Sequence, residues 1–376
     1  MTVYLDCAAT TPMDPVVREV LLHHLSDDFG NAGSRTHEYG LRAKRAVERA
    51  REQVAELAGA RPDEVVFTSG ATESNNLAIQ GIADFGRAKN RLHVLVSAIE
   101  HKAVLEPALR LRQQGFDLEL IPCRTDGVVD VERLGAMLRD DTLLVSVMHV
   151  NNETGVEQPI AEIAKLLAGH PAYFHVDAAQ GFGKQLGLAQ ITRVDLLSIS
   201  GHKLYGPCGI GALILRRRQR SLPPISALFA GGGQERGIRP GTVPVALAAA
   251  LGAACHQCRT EHEARRTHIS RMRADLERWA LGQDALIVGP QGPQTTTILG
   301  LIFPDLDSES VMLAWKDLVA VSNGAACSSR EYATSHVLEA MGVPVSLRSR
   351  FVRLSWCHMT PPLPLEDMSA ALSSIR

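Results

Sequence analysis

One lysine in this chain stands apart. Only seven of the 39 basic residues are lysine, and six of the seven sit in helical or loop stretches with arginines or turn residues nearby. Lys203 instead follows the apolar run Leu196-Leu197-Ser198-Ile199, within Ser200-Gly201-His202-Lys203-Leu204-Tyr205-Gly206-Pro207. A lysine amine removed from bulk water at a strand end is a usable nucleophile. Three other apolar runs also end in reactive groups. His175-Val176-Asp177-Ala178-Ala179-Gln180 closes with a carboxylate, and Ile99-Glu100-His101-Lys102 places an imidazole after a strand-like stretch. Phe67-Thr68 runs into Ser69-Gly70-Ala71-Thr72-Glu73, where Gly70 permits close backbone approach. A helix starting there offers its N–H groups and the Thr72 hydroxyl to an anion such as phosphate.

Each of these features alone has an ordinary explanation as a helix cap, a turn residue or a loop histidine. Together they match the needs of pyridoxal phosphate. Lys203 supplies the amine for a Schiff base, and Asp177 keeps the pyridine nitrogen protonated so that the ring accepts electrons. The helix end takes the phosphate, and His101 covers the ring face. Late in the chain, Ser322-Asn323-Gly324-Ala325-Ala326-Cys327-Ser328-Ser329 sets a cysteine among small residues that would not bury it, which suits an exposed reactive thiol. Cys255-His256-Gln257-Cys258 lacks the second ligand pair of a zinc site and the strand–helix context of a redox motif, so both thiols read as riding an Ala-rich helix.

The elements that must position these groups alternate. Apolar positions at helical spacing fill 38–58 and end at Gly59. Strand-like runs follow at 65–68, 93–98, 118–122, 143–150, 173–176, 196–200 and 210–215, with helical stretches at 73–85, 102–114, 131–138 and 160–167. Such alternation predicts a mainly parallel sheet covered on both faces, with ligands at the carboxyl ends of its strands. A long helical segment over 245–279 and a looser α+β region with strands at 297–303 and 352–355 follow. The organisation predicted is a large α/β domain followed by a smaller one.

Composition narrows the class further. The chain has 376 residues, 45% hydrophobic and 21% charged, enough for a sizeable core. A net charge of −2 argues against a dedicated nucleic-acid binder. The apolar stretch 243–255 is too short for a membrane span and contains Pro244. Residues 1–6 lack the basic and apolar regions of a signal peptide, and the seven scattered cysteines suit a reducing compartment. A cytoplasmic protein is expected.

These segments resemble the cysteine desulfurases of the class V aminotransferase-like pyridoxal phosphate enzymes, of fold type I. The resemblance runs from Tyr4-Leu5-Asp6-Cys7-Ala8-Ala9-Thr10-Thr11-Pro12 to Arg353-Leu354-Ser355. It includes Ser69-Gly70-Ala71-Thr72-Glu73-Ser74-Asn75-Asn76, Met148-His149-Val150-Asn151-Asn152-Glu153-Thr154-Gly155, the segment around Lys203, and residues 231–242. It implies an α/β large domain over 15–257 with a mainly parallel seven-stranded sheet, and a smaller α+β domain formed by 1–14 with 258–376. It further implies that Lys203 holds the cofactor and shuttles protons, Asp177 pairs with the pyridine nitrogen, Gln180 bonds the phenolic oxygen, and His101 stacks on the ring and assists proton transfer. Ala71, Thr72, Ser200 and His202 would bind the phosphate, with Thr242 reaching over from a second subunit of a homodimer. Asn152 and Arg353 would hold the substrate L-cysteine, Arg353 by a bidentate grip on its carboxylate. Cys327 would take the sulfur as a persulfide, release alanine and pass the sulfur to an acceptor protein.

Two departures from the family pattern stand out. Cys357 replaces the glycine usual after Arg-x-Ser-x, which bears on the local backbone. Gly30-Asn31-Ala32-Gly33-Ser34, followed by Arg35-Thr36-His37, resembles the desulfurases that serve DNA phosphorothioation, beside the broader roles in iron–sulfur assembly and tRNA thiolation. Alternative functions are a selenocysteine lyase, which would share the cofactor residues, or a scaffold docking sulfur acceptors.

Overall fold

The structure is a computed structural model describing residues 2–218, 220–289, 297–324 and 335–376. After a short first strand, β1 (Val3–Tyr4), seven strands build the main sheet: β2 (Val65–Thr68), β3 (His93–Ser97), β4 (Asp117–Ile121), β5 (Thr142–Ser146), β6 (Tyr173–Asp177), β7 (Leu196–Ser200) and β8 (Gly211–Leu215). Their order across the sheet is β2-β8-β7-β6-β5-β3-β4. Every residue of β3, β5, β7 and β8 is buried, as continuous Val/Ile/Leu runs require when helices cover both faces.

The pairing is parallel except around β8, which runs antiparallel to both β7 and β2. Two reversals cancel. The carboxyl ends of β2, β3, β5, β6 and β7 therefore lie along one edge, and Gly211 starts β8 at that same edge.

One face is covered by the helix Glu38–Ala58, which ends at Gly59 in the left-handed conformation (φ 63°). It packs on the helix Val245–Thr260 at close range, since a Cβ on Gly252 would sit 2.6 Å from the Cα of Ala50. The single helical segment expected over 245–279 is two helices, Val245–Thr260 and His262–Leu281. Glu261 between them leaves helical geometry (φ −104°, ψ 11°). Cys255 and Cys258 are both buried on the first of these.

A second, antiparallel sheet is ordered β12-β10-β9, formed by β9 (Leu286–Val288), β10 (Ile298–Ile302) and β12 (Phe351–Ser355). Its core contains Trp315, Trp356 and Phe303, and Leu5 is buried in the same cluster. β1 pairs in parallel with β11 (Val319–Ala320), and Asp6 bridges Ser355. Residues 2–11 are thereby drawn across the edge where the main sheet presents its strand ends. Among the described residues, no helix is long and apolar enough to cross a membrane.

Candidate active site

The strand ends of the main sheet, residues 8–9 and Arg353 enclose a cavity of about 380 Å³. Its walls include Ala71, Thr72, His101, Asn152, Asp177, Gln180, Ser200, His202, Lys203 and Arg353, bringing ten of the twelve expected site residues together. Thr242 is exposed and is not part of this wall. Cys327 lies outside the described residues.

Lys203 closes a short 3-10 turn, Gly201–Lys203, directly after β7. Its ammonium donates to the carbonyls of Ala8 and Ala9, the latter at 2.6 Å. Asp177, the last residue of β6, is 5% exposed. Its Oδ2 accepts from Asn75 Nδ2 at 2.7 Å, and its Oδ1 from the Ala179 N–H at 2.9 Å. Both oxygens are thus aimed by the protein. Gln180 donates to the Ala8 carbonyl at 2.8 Å.

The helix Ala71–Gly81 starts at Gly70, whose φ of 151° favours glycine, and no side chain caps its first turn. A Cβ on Gly70 would point toward Ser200 Oγ, 3.8 Å away. The missing side chain leaves room for an anion between the helix N-terminus and that hydroxyl. His202 stands beside it, hydrogen-bonded to Thr10 at 3.1 Å. Burial, helped by Lys203 and Lys184, lowers its pKa to about 4, so the ring is neutral at pH 7. His101 caps the helix Lys102–Gln113, accepting from the Ala103 N–H at 3.0 Å. Burial also lowers its pKa; Asp177 opposes the shift, while Lys203, His336 and Lys102 add to it.

Arg353, on β12, is 4% exposed. It donates from Nη1 to the Asn152 carbonyl at 2.8 Å and pairs through Nη2 with Asp6 Oδ1 at 2.6 Å. The Cys357 departure leaves this strand undisturbed, because Cys357 is not among the positive-φ residues. Its thiol meets that of Cys7, in a buried pair beside Lys184.

Three buried polar atoms in the cavity wall have no partner: Asn75 Oδ1, Gln180 Oε1 and Arg353 Nε. Buried polar atoms in native structures are mostly partnered, and these three share one cavity, where a bound ligand would complete their bonding. An amine, an oriented carboxylate, an uncapped helix end, a neutral imidazole and unpartnered polar atoms fit pyridoxal phosphate in size and donor set. The sequence reading assigned no role to Asn75, Asp6, Ala8 or Ala9. Asn75 had a signal, since it lies one helical turn past the anion site; main-chain carbonyls carry none.

The family model for class-V aminotransferases matches residues 3–361. A cysteine desulfurase of Homo sapiens is 44% identical over 352 residues, covering 93% of this chain and 76% of that protein. The crystal structure of DndA from Streptomyces lividans is similar with a TM-score of 0.83 at 45% identity, covering 94% of this chain and 99% of that one. A structure of SspA in complex with cysteine aligns with a TM-score of 0.82 at 35% identity, covering 96% and 99%.

Proposed function

The chain belongs to the class-V aminotransferase family, and from that premise we propose that it is a pyridoxal 5'-phosphate-dependent cysteine desulfurase. It takes sulfur from L-cysteine, leaves L-alanine and passes the sulfur to an acceptor protein. The observation that carries this reading is the single cavity holding Lys203, Asp177, the uncapped helix end and Arg353.

When bound, pyridoxal phosphate supplies an electron sink that acidifies the Cα–H of an amino acid joined to it. Lys203 would hold the cofactor covalently and, once displaced by substrate, move the Cα proton. Asp177, aimed by Asn75 and the Ala179 N–H, would hold the proton on the pyridine nitrogen. Gln180 would bond the phenolic oxygen. Ala71 and Thr72 at the helix end, with Ser200 and His202, would bind the phosphate. His101, kept neutral by burial, would cover the ring.

Asn152 and Arg353 would grip the substrate, its carboxylate replacing Asp6 on the guanidinium. The Cys327 thiolate would then attack the substrate sulfur. The new S–S bond forms as the Cβ–S bond breaks, and the electron pair stays with the carbon skeleton, which is protonated to alanine. An acceptor thiolate takes the outer sulfur from the Cys327 persulfide and restores the thiolate.

Thr242 would complete the phosphate site of a second copy, making the working form a homodimer. Its exposed position, away from its own chain's cavity, supports that role. A near-neutral charge, 39 basic against 41 acidic residues, supports a protein acceptor over a direct grip on nucleic acid. The variant stretch at 30–37 supports an acceptor in DNA phosphorothioation, working in the cytoplasm.

Purified enzyme given L-cysteine and a reductant is expected to form sulfide and alanine in equal amounts, with both lost in Cys327→Ser. Alanine formed by Cys327→Ser at the wild-type rate would overturn the role of that thiol. In cells, deletion should remove sulfur from DNA while iron–sulfur enzymes stay active. The reverse pattern would assign the acceptor to iron–sulfur assembly.

A further inference from the structure

We infer that Glu153 is a positioning residue, joining the two chain segments that flank residues 325–334 and setting them against the Arg353 wall of the cavity. The inference rests on the proposed role of Cys327, which lies between those segments.

The turn that presents Glu153 is held by hydrogen bonds from within and from Arg353. Asn151 Oδ1 accepts from the N–H groups of Glu153 at 2.9 Å and Thr154 at 3.0 Å, and Asn151 Nδ2 donates to the Ile99 carbonyl at 3.0 Å. Arg353 donates to the carbonyl of Asn152 in the same turn. The Glu153 side chain is buried and meets both flanking segments. On one side, its Oε2 accepts a hydrogen bond from the Ser335 hydroxyl. That hydroxyl in turn accepts from the Leu338 N–H at 3.1 Å and caps the helix His336–Ala340, so it is fixed from both directions.

On the other side lies Gly324, with φ 76°. A Cβ there would lie 3.0 Å from the Phe351 ring and 3.5 Å from both Cγ and Oε2 of Glu153, so Gly324 sits beside that side chain with no room for one of its own. Ser322 continues the anchor, pairing with the Arg353 main chain at 2.6 and 3.3 Å and accepting from the Gly324 N–H at 3.2 Å. His336 adds a bond of 2.9 Å to the Glu100 carbonyl, next to His101. Ser335 and Gly324, on the two flanking segments, thus both lie against the Glu153 side chain. Burying an acid is costly unless its contacts need it. Here burial pushes the Glu153 pKa up, while His336, Arg353 and Lys102 draw it back. Fixing both flanking segments lowers the entropy cost of bringing a residue between them to a defined place.

Glu153→Ala and Ser335→Ala each remove one side of the joint, whereas Glu153→Gln keeps an acceptor for Ser335. In the holoenzyme both alanine variants should lower kcat for alanine formation by roughly tenfold, the worth of one hydrogen bond to a charged group. KM for L-cysteine should stay within about twofold, and the absorbance change on adding L-cysteine should keep its wild-type amplitude. Glu153→Gln should recover most of the rate. Wild-type kcat in both alanine variants would overturn the inference, as would a loss expressed as raised KM or lost cofactor absorbance in Ser335→Ala. If Glu153→Ala does not fold, Ser335→Ala carries the test. A Cys327→Ser protein that still forms alanine removes the underlying assignment. An inactive Cys327→Ser beside fully active Glu153→Ala and Ser335→Ala removes this inference alone.

Discussion

Asp177 accepts a hydrogen bond from Asn75 on one oxygen and from the Ala179 main-chain N–H on the other, so its direction is set by protein neighbours. Asn75→Ala should therefore weaken cofactor retention and lower turnover by roughly tenfold, read from the absorbance of dialysed protein and from alanine formation. Asn75→Asp should be worse, because a second carboxylate would face Asp177 in a buried site. Arg353 is held in the same manner by Asp6 and the Asn152 carbonyl. Arg353→Lys keeps the charge but not the planar fork, and should raise KM for L-cysteine by roughly tenfold or more, with a smaller effect on kcat. At this scale the sequence is informative where a residue type is out of place, as with an ammonium leaving an apolar strand. Asp6 beside Arg353 is not legible in that way, because nothing local marks an ion pair between residues 347 positions apart.

Among the strands, β6 carries a titratable group that bears on stability. His175 is fully buried, with Nδ1 2.8 Å from Ser146 Oγ and Nε2 3.0 Å from Ser198 Oγ on the neighbouring strands β5 and β7. Burial lowers its pKa to about 3. The unfolded chain accepts a proton below about pH 6.5, whereas the folded ring stays neutral until about pH 3. Its stabilising contribution is therefore complete above pH 6.5 and is lost as pH falls toward 3. Glu100 acts in the opposite sense. Its pKa is raised to about 8, chiefly by burial, so its contribution is complete below the ordinary carboxylate range and is lost as pH rises toward 8. Comparison with one variant isolates the histidine: between pH 6.5 and 4 the melting temperature should fall more steeply for wild type than for His175→Gln. Parallel curves would assign the acid sensitivity to other histidines lowered by burial, among them His202 and His358 at about 4. The strands themselves were legible from their Val/Ile/Leu runs. The reversal at β8 was legible in principle, since ten residues between Ser200 and Gly211 are too few for a parallel crossover. The break at Glu261 was not, because helical composition continues on both sides of it.

Across the whole molecule, the main sheet supplies strand ends while residues 2–11 and β12 close the cavity over them. The alternation of strands and helices conveyed the first half of this arrangement. It could not convey the second, which depends on Ala8 and Ala9 carbonyls reaching Lys203 from 195 and 194 positions away. Deleting residues 2–9 should leave the main sheet intact by circular dichroism but give a protein that does not retain cofactor absorbance after dialysis. Retained colour would show that Lys203 needs none of these carbonyls. The Asp6–Arg353 pair also has a consequence for the timing of synthesis. A ribosome adding about 5–20 residues per second emits these two partners roughly 17–70 s apart. For the last 150 residues of that interval, roughly 8–30 s, the nascent chain holds Lys203 and Asp177 without the arginine that would orient a substrate. The enzyme therefore becomes competent only after its last strand leaves the exit tunnel.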